Sequence, residues 1–164
     1  MVRDAQLSES GSLAQLWYDG WQDAHARILP AELARYRTLE SFHQRLITLL
    51  PNVRVVGPAG DPLGFCIVKG DELYQLYVAA GARGSGIAAA LLADAEAMLA
   101  AVGHETAWLA CAIGNLRAAR FYEKCGWVRV GSMMNQLDTP AGVFPLEVWR
   151  YEKAIGHRER GKTL

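Results

Sequence analysis

The sequence predicts a mixed α+β fold, and three observations carry that prediction. Between residues 53 and 79 the apolar pattern shortens to strand-like runs, "VRVVG", "LGFCIVKG" and "ELYQLYVA", separated by the turns "PAGDP" and Gly70–Asp71, which reads as an antiparallel meander. A glycine-rich turn then opens a long helical pattern over residues 84–102, and the strand pattern "ETAWLACAI" follows as one crossover unit. The full order, β, α, α, β, β, β, α, β, α, β, β, holds no internal repeat and no linker, so a mixed sheet suits it better than a doubly wound one.

Each element has a local reason. Residues 2–7 read as a short first strand. Ser8, Ser10 and Ser12 offer caps for a helix to about Ala26, with Leu13, Leu16, Trp17, Ala24 and Ile28 as its apolar stripe. Pro30 suits the first turn of a second helical stretch, which breaks near Thr38 and is ended by Pro51. In the helix over residues 84–102, Ile87, Leu91, Ala95, Met98 and Val102 share a face and Gly103 terminates it. Asn115 opens a last helix, Gly126 closes it, and strand patterns over residues 127–137 and 143–154 complete one domain, residues 1–155. Residues 156–164, "GHRERGKTL", read as a short basic polar tail that is flexible.

With 164 residues, 51% of them hydrophobic, the chain can bury an ordinary core without disulfides or metal. Its 17 basic and 17 acidic side chains cancel, which gives no reason to expect nucleic acid or a membrane surface as a partner. Cys66, Cys111 and Cys125 are odd in number and widely spaced, as in a reducing compartment, and they read as small buried residues. His25, His43, His104 and His157 lack ligand spacing, so no metal is expected. The start, "MVRDAQLSES", is charged, and Asp94 and Glu96 interrupt the longest apolar stretch, so neither a signal peptide nor a membrane span is expected. The expectation is a cytoplasmic protein.

The turn "AAGARGSGIAAA" is where chemistry first shows. Backbone N–H groups crowded at a helix start, with no side chains in the way, make an anion site. Gly81 and Gly86 have Walker A spacing, but Ile87 and Ala88 stand where lysine and a hydroxyl are required. Gly84, Gly86 and Ala89 match G-x-G-x-x-G/A literally, yet antiparallel strands precede them and the next strand ends without the acid a ribose needs. A third pattern, R/Q-x-x-G-x-G/A, is carried by Arg83, Gly86 and Ala88 directly after a strand ending at Val78. With "NLRAARFYEKCGW", residues 115–127, this turn resembles the GNAT-type N-acetyltransferases, whose N-x-x-A-x-x-F-Y-E-K-x-G-F/W segment lies at the same distance on the same helix. The two motifs span about a third of the chain, from Glu72 to Trp127.

That resemblance implies a central twisted, mostly antiparallel sheet of about seven strands flanked by about four helices. It implies direct transfer of the acetyl group of acetyl-CoA to a primary amine in a ternary complex, with no metal; a homodimer stays open. CoA would be held by Leu76, Val78, Arg83, Gly84, Ser85, Gly86, Ile87, Ala88, Asn115 and Tyr122. Leu76 and Val78 would pair with the pantetheine arm, the strand would splay at a bulge, and the N–H near Val78 would face the thioester carbonyl. Tyr122 is the implied proton donor to the thiolate; an ordinary phenol, near 10, lies close to a thiol, near 8.5. Glu72, six residues before Val78, matches the base of some relatives, with ordered water as the other candidate and a solvated turn acid as the plain one.

The acceptor is less defined. In this family the first two helices and last two strands wall its pocket, and here Trp17, Trp21 and His25 recur every four residues. Trp17 reads as core; Trp21 and His25 are acceptor-site candidates, the indole through cation–π contact with an ammonium. A small amine, a peptide N-terminus and a lysine side chain all fit. The competing reading keeps the fold and ligand without turnover, as a CoA-responsive binding module.

Overall fold

A computed structural model describes residues 1–156 of the chain. The expected tail therefore lies outside the described residues except for Gly156, whose N–H donates to the Glu105 carbonyl (3.0 Å). Seven strands, β1 (Arg3–Asp4), β2 (Val53–Val56), β3 (Gly64–Lys69), β4 (Glu72–Val78), β5 (Thr106–Ala112), β6 (Val128–Thr139) and β7 (Gly142–Ala154), form one sheet in the order β1-β2-β3-β4-β5-β7-β6. Every neighbouring pair is antiparallel except β4 and β5. The helices are α1 (Ser10–His25), α2 (Ala31–Ala34), α3 (Leu39–Leu49), α4 (Ile87–Ala101) and α5 (Leu116–Lys124). There are five rather than about four because the stretch after Pro30 splits: Thr38 caps α3 by accepting the Ser41 N–H (3.1 Å).

Strand alternation distributes the core over both faces of the sheet. Phe65 and Ile67 of β3 join Val53, Val55, Leu13, Trp17, Phe42 and Leu46 under α1 and α3. Their neighbours Cys66 and Val68 face the other way, toward Leu91, Leu92, Ala95 and Leu99 of α4. Two sequence expectations shift here. Val102 is exposed, and the buried line of α4 runs through Leu92 and Leu99, because a helix of alanine and leucine on nearly every side carries little periodic information. Ile28 lies beyond the end of α1 and is exposed.

Two irregularities shape the centre of the sheet. In the β3–β4 ladder Ile67 faces Gln75 and Val68 faces Leu73, so Tyr74 is an extra, bulged residue. Such a bulge bends and twists its strand. The β4–β5 ladder consists of one pair, Glu72 opposite Trp108; beyond it, Leu76 and Tyr77 stand across a cleft from Ala110 and Ala112.

Tyr77 also fixes an unusual residue of α1. A Cβ on Gly20 would overlap the edge of the Tyr77 ring, so helix and strand approach at a distance only glycine allows. Alanine is intrinsically better in a helix by about 1 kcal/mol. Gly20→Ala is nonetheless expected to lower stability by about 1–3 kcal/mol, the usual cost of overpacking. Urea denaturation measures it, and a stability gain would show that Tyr77 has room to move.

Candidate active site

The bent strand, the N-terminus of α4 and helix α5 enclose a cleft of about 430 Å³. At one end Gly84 and Gly86 have φ of +77° and +84°, and the helix begins at Ile87 rather than at Gly84 because both glycines are used in the left-handed turn. That conformation by itself demands glycine. A Cβ on either would meet nothing within 4 Å, so the turn faces open space. The first-turn N–H groups of α4 have no carbonyl one turn back, and the helix dipole adds positive potential at the same spot.

Leu76, Val78, Arg83, Gly84, Gly86, Ile87, Ala88, Asn115 and Tyr122 all line this cleft. Ser85 is not part of its wall; its hydroxyl donates back to the Ala82 carbonyl and ties the turn. Arg83 forms an ion pair with Asp23 of α1, which also accepts from Arg117 of α5 (3.1 Å). Both guanidinium groups hold the Asp23 carboxyl below its usual range.

Glu72, Trp21 and His25 line a second cleft, of about 150 Å³, on the α1–α3 side. The two clefts share Leu76, Tyr77, Asn115, Ala118 and Tyr122. Asn115 caps α5, its side-chain oxygen accepting the Ala118 N–H (3.3 Å), and so combines that local duty with a place in both walls. Tyr122 is held by a cluster of rings: Phe121 at 5.5 Å, Tyr151 at 6.2 Å and Trp127 at 6.3 Å between centroids. Trp21 packs on Phe42 and is 6% exposed, so it belongs to the core and to the cleft wall at once.

Dry surroundings set the protonation states. Burial pushes Glu72 up to about 7 from the carboxylate value of 4.5, with Asp71 adding to the rise and Lys69 and Arg150 opposing it. Burial lowers His25 to about 4, so the ring is neutral, with Nδ1 3.4 Å from the Tyr77 hydroxyl. Burial raises Tyr122 above the ordinary phenol value, which removes the close match to a thiol expected from sequence and leaves a donor that keeps its proton. Cys111, in the second wall, is pushed up to about 11 and Cys66 up to about 12, so both thiols stay protonated.

Several wall residues escaped the sequence reading. Tyr77 sits between two flagged residues of β4, and its alternate position gave a usable signal. Arg117 lies inside the 115–127 motif, two residues from Asn115, whereas Gly20, Arg37 and Arg45 gave no signal because they reach the clefts only through packing of distant elements. Among the described residues no group of three or more His, Cys, Asp or Glu could hold a metal ion, and no helix is long and apolar enough to cross a membrane.

Comparison with known proteins agrees with this architecture. Residues 12–127 match the acetyltransferase (GNAT) family. Uncharacterized N-acetyltransferases of Mycobacterium bovis and Mycobacterium tuberculosis are 34% identical over 106 residues, which covers 62% of this chain and 63% of theirs. The fold is similar to a GCN5-related N-acetyltransferase structure from Rhodopseudomonas palustris, at TM-score 0.73 and 20% identity over 94% of each chain. It is also similar to the PaiA N-acetyltransferase of Thermoplasma acidophilum in complex with coenzyme A, at TM-score 0.66 and 17% identity over 94% of this chain and 98% of that one. With its motif turn, its seven-stranded sheet opening between β4 and β5, and a family match covering most of its length, the chain belongs to the acetyltransferase (GNAT) family.

Proposed function

We propose that the protein transfers the acetyl group of acetyl-CoA directly to a primary amine, both substrates being bound at once. The observation that carries this reading is the shared wall: Tyr122 and Asn115 border both the larger cleft and the smaller one, so a thioester in the first can meet an amine in the second. The coenzyme A bound by the PaiA relative supports the assignment of the larger cleft. In it, Gly84, Gly86, Ile87 and Ala88 offer backbone N–H groups to the pyrophosphate, Leu76 and Val78 offer a strand edge to the pantetheine arm, and Arg83 and Arg117 supply charge at the mouth.

The amine nitrogen forms a bond to the thioester carbon, the carbonyl oxygen takes up negative charge, and the C–S bond then breaks. Backbone N–H near Val78 stabilises the oxyanion, and the departing sulfur takes a proton from the Tyr122 hydroxyl. The surplus proton of the amine passes to Glu72, directly or through water. The protonated thiols argue against an acyl-enzyme step on cysteine. Acetyl-CoA consumption with a panel of amines tests the reading. Tight CoA binding with no transfer to any amine would favour a CoA-responsive binding module instead.

Glu72 gives a pH test with two readouts. A base that ionises near 7 predicts kcat/KM rising with pH through about 7, and Glu72→Gln should abolish this limb. A limb unchanged in the variant would pass the role to ordered water. For stability the sign is set by a folded value raised above the unfolded one: the neutral carboxyl is tolerated below about 4.5, and that advantage is lost as pH rises through about 7. Glu72→Gln is therefore expected to melt at the parent temperature at pH 4 and above it at pH 8.

A further inference from the structure

Two arginines line the smaller cleft, and among the described residues no carboxylate is paired with either. Arg37, just past α2, is 5% exposed, and its one hydrogen bond to a described residue goes from Nη1 to the Asp138 carbonyl (3.2 Å). Arg45 of α3 lies over the Trp17 ring at 4.5 Å and donates from Nη2 to the Tyr74 hydroxyl (2.6 Å). Both line the cleft, and neither comes within 4.0 Å of an acidic oxygen among the described residues, whereas Arg3, Arg54, Arg83 and Arg117 all do. Each guanidinium has five donors, so both retain donors for a ligand.

The charge of Arg45 also acts on Arg37. After desolvation, the charge of Arg45 is the largest influence lowering Arg37, to about 10. Tyr74, Tyr77 and Asp138 oppose that lowering without forming an ion pair, and Glu72 takes no part: the charges acting on it are Lys69, Asp71 and Arg150. A buried guanidinium with a second one near it and no carboxylate in contact is stabilised by an anionic ligand.

We infer that Arg37 and Arg45 form an anion subsite of the smaller cleft, and that the acceptor is a small amine that also carries a carboxylate, as an amino acid does. The inference rests on the acetyl-transfer reading, with Glu72, in the same wall, serving the amine end. A planar guanidinium matches a carboxylate in a two-pronged geometry, and a cavity of about 150 Å³ suits an amino-acid-sized molecule. Lysine side chains of folded proteins and peptide N-termini bring no carboxylate beside the amine. They are disfavoured.

The test uses matched probes: an α-amino acid, its carboxamide, the decarboxylated amine and the aminophosphonate analogue. The parent should acetylate the amino acid with kcat/KM at least about 10-fold above that for the carboxamide or the decarboxylated amine, the usual scale for losing hydrogen bonds to a charged group. Arg37→Met and Arg45→Met should raise KM for the amino acid about 10- to 100-fold with kcat less affected, and change the decarboxylated amine less than about threefold. Arg45→Lys, which keeps the charge over Trp17 but lacks the fork, covers the case in which Arg45→Met fails to fold. Equal turnover of all four probes overturns the subsite while leaving acetyl transfer intact. A preference for the phosphonate changes the anion from carboxylate to phosphoryl and overturns the amino acid. Calorimetric titration of the CoA-loaded protein with the amino acid decides the case in which nothing turns over: binding lost in Arg37→Met upholds the subsite, and no binding to the parent overturns it.

Discussion

Gly86→Glu is expected to weaken CoA binding by at least about 100-fold and to leave the sheet standing. Gly86 precedes the first residue of α4 at φ +84°, and its missing Cβ faces open space in the larger cleft, so a glutamate side chain points where the pyrophosphate is proposed to lie. It brings a like charge and a carboxylate that competes for the free N–H groups of the first helical turn. Each hydrogen bond to a charged group is worth about 1.5–3 kcal/mol, so losing two or more accounts for the expected factor. The backbone cost is separate: a non-glycine residue in the left-handed region costs about 1–3 kcal/mol. Gly86→Ala carries that cost without the charge and should retain most of the CoA affinity. Calorimetry with CoA and with NAD reads both variants, and unchanged CoA affinity in Gly86→Glu, or preferential NAD binding by the parent, would sink the assignment.

Tyr122→Phe should lower kcat by about 10²- to 10⁴-fold, the range for general acid catalysis, with KM for acetyl-CoA changed by less than about threefold. The Phe121, Tyr151 and Trp127 rings pack around the Tyr122 ring, and no hydrogen bond holds its hydroxyl among the described residues. Phenylalanine therefore keeps the packing and removes only the proton. Burial of the phenol makes it a weaker acid than sequence reasoning assumed, and a thiolate is a tolerable leaving group, so the effect belongs toward the lower end. Single-turnover kinetics at saturating acceptor isolate the chemical step. Turnover within about twofold of the parent would assign the proton to water.

The parts of the candidate site that sequence spacing could flag are the parts held by one local element. Residues 83–88 occupy a single turn, and Asn115 and Tyr122 share one short helix, so spacing along the chain translates directly into spacing in the cleft. Strand and helix order was likewise legible because alternation and caps are local. What sequence could not supply depends on encounter. Arg37 and Arg45 look like solvated charges on a polar helical stretch until α3 packs on Trp17 and β4 brings Tyr74 beneath it. Gly20 looks like a flaw in α1 until Tyr77 arrives. Ser85 shows the converse: a residue inside the motif whose hydroxyl is spent on its own turn.

The single ladder pair between β4 and β5 links catalysis to folding free energy. The sheet consists of a leaf built by residues 3–78 and a leaf built by residues 106–154, hydrogen-bonded at Glu72–Trp108, with peptide edges facing each other across the gap. Under the proposed function, an extended ligand carrying its own amides, as pantetheine does, would supply rungs that the ladder lacks beyond that pair. A ligand present at 100 times its dissociation constant then adds about 2.7 kcal/mol to the folded state by mass action. CoA and acetyl-CoA share that arm, so under the same proposal the product should stabilise the chain nearly as well as the substrate. If the proposed binding mode holds, melting temperature should rise with CoA and acetyl-CoA alike, whereas turnover should follow acetyl-CoA alone.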